Sequence, residues 1–174
     1  MFLMAGEKLS FIGKGGRQAY QVVPDEVVVR LRDGACAEDL PAKVQPRLLG
    51  RIKNDLLRLR LDLDEARGLL ADCVDAVFPV LREETSGLRL AATDELTVRF
   101  RPDLPEGTRD RLLGQAGLEV VRRNRFVPEQ FAVRLKNAGS TYTVFKVAEW
   151  LNGMNEVTFA TPDFLAEIEK SPFA

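Results

Sequence analysis

No histidine occurs in the 174 residues. The imidazole that usually serves a serine or cysteine nucleophile as general base is therefore missing, and with it the commonest nitrogen ligand for a metal. Ser10, Ser86, Ser140 and Ser171 have no base to activate them. Cys36 and Cys73 are too few for a disulfide framework and lack the spacing of a zinc site, so they read as reduced core or boundary residues. Gly13, Lys14, Gly15 and Gly16 resemble a phosphate loop only in glycine content, because no Gly-Lys-Ser/Thr ending follows; a turn or hairpin is expected. The chemistry this chain can do is binding, and no catalytic residue, cofactor or metal is assigned.

Charge narrows what it binds. Lys plus Arg (25) and Asp plus Glu (26) leave a net charge of −1, without the positive field that draws a nucleic acid. No nucleic acid and no membrane is expected as partner: no segment approaches the roughly 20 apolar residues of a bilayer span. Met1 to Ala5 is apolar, but it lacks a basic start and breaks at Gly6-Glu7-Lys8, so no signal peptide is read and a cytoplasmic location is expected.

The elements that must position a binding surface follow from periodicity. Glu26 to Arg32 is β-branched and stops at Asp33-Gly34, a strand ending in a turn. Residues 36–52 are expected to be helical in part, limited by Pro41 and Pro46. Leu57 to Leu61 alternates apolar and charged side chains, Asp62 or Asp64 can cap a helix to about Val74, and Pro79 makes residues 76–81 an edge strand at best. Leu96, Val98 and Phe100 then alternate with Thr97, Arg99 and Arg101; a helix from Glu106 to Ala116 ends at Gly117. Leu118 to Arg123 and Phe131 to Leu135 are the next strands. Val144, Phe145, Ala148 and Leu151 form one helical stripe, and Val157 and Phe159 open a last strand. Trp150 reads as a packing residue, and Phe126 with Val127 as an apolar loop before Pro128.

This order predicts an α+β fold: a ferredoxin-like β-α-β-β-α-β antiparallel sheet with both helices on one face, the other face left for a partner. Val27 to Leu31 resembles Glu95 to Phe100, and Leu57 to Leu61 resembles Phe131 to Leu135, so a degraded copy of the same unit is expected to precede it. The expected divisions are an N-terminal hairpin or extension (1–24), the degenerate unit (25–92), the complete unit (93–168) and a tail (169–174).

Residues 94–168 resemble the N-terminal propeptide of subtilisin-like serine proteases, peptidase family S8. Glu95 to Pro102, Gly117 to Arg123 and Phe131 to Leu135 are similar to its first three strands. The most specific match is Val157-Thr158-Phe159-Ala160-Thr161-Pro162-Asp163-Phe164, beside a family motif written as valine, glutamate, tyrosine, alanine, glutamate, proline, asparagine, then tyrosine or phenylalanine. The resemblance implies a prodomain that packs its open sheet face on two surface helices of the catalytic domain, templates folding of that domain and inhibits it as a bound product. It implies that Thr161, Pro162, Asp163 and Phe164 contact the protease, with Asp163 accepting from the N-terminus of one of those helices and Thr161 standing where the family has a second carboxylate. By alternation Arg99, Arg134 and Lys136 fall on the open sheet face and read either as contacts for acidic protease residues or an acidic ligand, or as solvated strand positions. Ser171, Pro172, Phe173 and Ala174 would lie in the active-site groove. The alternative is a free-standing ferredoxin-like regulatory or adaptor module; an RNA-binding sheet ranks last, because arginines stand where exposed aromatics are needed.

Overall fold

The computed structural model describes residues 6–137 and 141–166. Its strands are β1 (Lys8–Gly13), β2 (Gly16–Leu31), β3 (Leu48–Lys53), β4 (Leu56–Leu59), β5 (Val74–Glu83), β6 (Arg89–Phe100), β7 (Leu118–Arg123), β8 (Gln130–Leu135) and β9 (Val157–Ala166). The helices are α1 (Leu63–Leu70), α2 (Glu106–Gln115) and α3 (Thr141–Asn152). The fold class expected above is corrected. Of the described residues 48% are in strands and 23% in helices, and the strands form one nine-stranded, mostly antiparallel sheet in place of a small ferredoxin-like α+β unit. The order is β3-β4-β2-β5-β6-β8-β7, with β1 on β2 and β9 on β6. The reason lies in β6, which starts before the expected unit boundary: Arg89, Leu90 and Ala91 pair with β5, and Glu95 to Arg99 with β8.

By contacts the chain divides into two compact units, one built mainly from Tyr20–Ala91, the other from Leu9–Ala19 and Ala92–Phe164. In the first unit Val27, Val28 and Val29 of β2 are all buried, so both faces of this strand are covered, as a continuous β-branched run requires. Residues 36–52 form no regular helix. Pro41 and Pro46 each lack an N–H, and what remains is two single 3-10 turns, Ala37–Asp39 and Gln45–Arg47, before β3 begins. Cys36 lies exposed at the first turn and Cys73 is half-buried; both are free. Asp62 is the cap of α1, its carboxylate accepting from the Glu65 N–H at 2.7 Å. Pro79 does not put β5 at an edge. The strand pairs β2 and β6, and the missing N–H falls one residue before the β6 ladder starts at Val80.

In the second unit Leu96, Val98 and Phe100 point into the core with Phe131, Val133 and Leu135. Helix α2 lies over that face, with the Arg109 guanidinium 4.8 Å from the Phe131 ring centre, and Phe131 meets Phe100 edge-on. Gly117, at φ 69°, supplies the left-handed step that turns α2 into β7. Phe145 of α3 contacts Phe11 at 5.4 Å and Phe164 at 6.1 Å. Asn152 gives α3 a polar grip on β9: its amide donates to the Ala160 carbonyl (2.7 Å) and accepts from the Ala160 N–H (2.8 Å), as a neighbouring strand would. Trp150, expected to pack, is exposed.

The two units pair their strands in one pattern. The orders β3-β4-β2-β5 and β7-β8-β6-β9 correspond. Val29 faces Leu57 and Val27 faces Leu59, as Val98 faces Phe131 and Leu96 faces Val133. The Leu31 N–H donates to the Asp55 carbonyl as Phe100 does to Glu129, and Arg32 to Cys73 as Arg101 does to Glu156. The bulge recurs too: Leu49 in β3 and Val121 in β7 are each skipped by the ladder. β3 is the second strand that the first unit was expected to lack. The two units thus share strand pairing and register, with two 3-10 turns between β2 and β3 where the other unit has α2 between β6 and β7.

Candidate protein-binding face

Alternation along β6, β8 and β9 places Glu95, Thr97, Arg99, Ala132, Arg134, Thr161 and Asp163 opposite the core side chains. All seven are half-buried. Thr97 donates its hydroxyl to the Asp163 carboxylate at 2.8 Å, and Thr93 donates to the Asp163 carbonyl at 3.3 Å. Burial holds the Asp163 carboxyl above the usual carboxylate range; Glu95 adds to the rise, while the Thr97 hydrogen bond and the charge of Arg122 oppose it. The free chain therefore disfavours the charge that this residue carries at neutral pH.

The equivalence of the two units shows what is special here. Thr97 and Asp163 stand where the first unit has Val28 and Val80, and Pro162 where it has Pro79. In the first unit Val28 and Val80 belong to an apolar cluster with Val23, Leu56, Phe78 and Ala91, against which Leu165 packs. A threonine and a carboxylate at the matching pair convert a core face into a polar, partly open one.

The cations of the face are already engaged. Arg99 reaches Glu129 at 3.0 Å; Arg134 reaches Glu95 at 2.5 Å and Asp94 at 3.8 Å. The Glu95 hydrogen bond raises the affinity of Arg134 for its proton, and Glu129 is held below the usual carboxylate range by its own backbone N–H and then by Arg99. Of the residues singled out in the sequence, the structure thus brings Arg99, Arg134, Thr161 and Asp163 to one face. Pro162 is buried and Phe164 packs on Phe145 on the core side. Ser171, Pro172, Phe173 and Ala174 lie outside the described residues. Sequence reasoning missed Thr97, the hydroxyl that anchors Asp163, and Glu95, the anion that holds Arg134. The period of two that marked Arg99 as outward marks both as well.

Among the described residues no group of His, Cys, Asp or Glu side chains could hold a metal ion, and no helix is long and apolar enough to cross a membrane. No protein-family model, curated protein or solved structure matches the chain.

Proposed function

We propose that the chain is the prodomain of a subtilisin-like serine protease: a non-catalytic module that assists folding of the catalytic domain and then inhibits it as a bound product. The observation that supports this reading best is Asp163, a half-buried carboxylate on a polar sheet face, with its charge disfavoured, inside the segment that resembles the family's closing motif. A partner that brings unpaired backbone N–H groups, as a helix N-terminus does, relieves that cost most. Thr161, on the same face of β9, adds a second acceptor without charge. Arg99 and Arg134, fixed by their ion pairs, shape the face and set its charge pattern. In this proposal Ser171 to Ala174 occupy the substrate groove by strand addition, and the complex works in the cytoplasm.

The test is residual peptide hydrolysis by a panel of active subtilisin-like proteases titrated with the chain, with and without residues 169–174. Competitive inhibition that needs the tail supports the prodomain. Absence of inhibition across the panel and by any protease encoded beside the chain overturns it in favour of the adaptor module.

A further inference from the structure

We propose that the outer edge of β7, and more weakly that of β3, is a docking edge for an extended acidic peptide segment, which adds to the sheet as a strand. Among the described residues β7 pairs only β8 and β3 only β4, so each leaves one row of backbone groups without a strand partner. Sheet edges are commonly guarded against further pairing by charge, proline or bulges. At the bulge that β3 and β7 have in common the inserted residue is apolar and exposed, and so is its neighbour: Leu48 and Leu49 at 38% and 36%, Val120 and Val121 at 48% and 46%. Cations follow at matching positions, Arg51 and Lys53 after one pair, Arg123 and Arg125 after the other with Arg122 between, all exposed.

That charge selects the occupant. Two copies of this chain edge to edge would set arginine against arginine or lysine, whereas an acidic segment is complementary at both edges. A strand partner uses the open backbone, the apolar pair and the cations together; a phosphate polymer uses only the last. The β7 edge has one more feature. Its hairpin loop is longer than the Asn54-Asp55 turn of β3–β4, and the added length presents Phe126, 93% exposed. The Asn124 side chain accepts from the Phe126 and Val127 N–H groups at 2.9 and 3.1 Å, so this ring is held out on a fixed turn. An exposed aromatic on an ordered loop is a suitable anchor for a partner strand.

The experiment titrates the full chain into a fluorescein-labelled peptide of alternating Glu and Val, the Lys–Val counterpart, and single-stranded DNA of mixed sequence, read by fluorescence anisotropy. The expected result is binding of the Glu–Val peptide alone. Val121→Glu weakens it by about tenfold or more, Phe126→Ser weakens it, and Leu49→Glu weakens it less than Val121→Glu. All three side chains are exposed, and circular dichroism verifies that each variant folds. Backbone amide exchange in β7 slows on binding. No binding of the Glu–Val peptide, binding that Val121→Glu leaves unchanged, or displacement of the peptide by the DNA would overturn the proposal. No protease enters this measurement, and Val121, Phe126 and Leu49 are not among the residues assigned to the protease, so its outcome is separate from that of the protease panel.

Discussion

Asp163→Asn and Thr97→Val should move stability in opposite directions at neutral pH. The asparagine keeps an oxygen for the Thr97 hydroxyl, now 2.8 Å from the carboxylate, and removes a charge that burial opposes. Because the folded carboxyl is raised above its unfolded value, its contribution to stability is full below the ordinary aspartate range and is lost as pH rises through the folded value. At neutral pH the native state bears that loss, so Asp163→Asn is expected to be stabilising there. Thr97→Val instead leaves the charged carboxylate without its hydroxyl donor, at a cost of about 1–2 kcal/mol. For a chain of this length that lowers the midpoint of thermal unfolding by about 2–8 °C. Urea unfolding of the three proteins from acid to neutral pH is the assay: the gain from Asp163→Asn shrinks toward zero in acid, as does the charge-dependent part of the Thr97→Val loss. An Asp163→Asn protein less stable than the parent by more than about 1 kcal/mol at neutral pH would refute the reasoning, because the charge would then be holding the fold together.

Three further outcomes are expected. Asn152→Ala removes both amide bonds to Ala160 and leaves a buried N–H and carbonyl without partners; urea unfolding should show a loss of about 2–4 kcal/mol. Glu26 lies between Arg58 at 2.9 Å and Arg89 at 3.0 Å, all three side chains mostly covered, so Glu26→Gln should cost about 2–3 kcal/mol in the same assay. Its control is Lys8→Gln at the exposed pair with Glu84, which should change stability by less than about 0.5 kcal/mol. Asp62→Ala deletes the α1 cap and should cost about 1 kcal/mol, with faster amide exchange confined to Leu63–Leu70.

Local signals carried a good part of this structure. Period two in β6 and β8, the Asp62 cap and the apolar stripe of α3 were all legible, because each is decided by neighbours along the chain. What was not legible depends on pairing between distant segments. The run of β6 back to Arg89 follows from its ladder with β5, which no alternation announces. Pro79 reads as an edge signal until the register shows its missing N–H just short of the β6 ladder. Residues 48–53 look like the end of a proline-limited helix until β4 pairs with them. The candidate site divides in the same way. Arg99, Arg134 and Asp163 could be named from alternation and resemblance, but the Thr97–Asp163 bond, and its place where the first unit buries valines, required the register of both units.

The most direct test of the prodomain reading is equilibrium binding of the full chain to a subtilisin-like protease whose nucleophilic serine is replaced by alanine, so that the chain is not consumed. Calorimetric titration should give a one-to-one complex, weakened by about tenfold or more when Asp163→Asn removes the charged acceptor, even though that variant is the more stable when free. Equal affinity of parent and Asp163→Asn, or no complex with any such protease, would contradict the account.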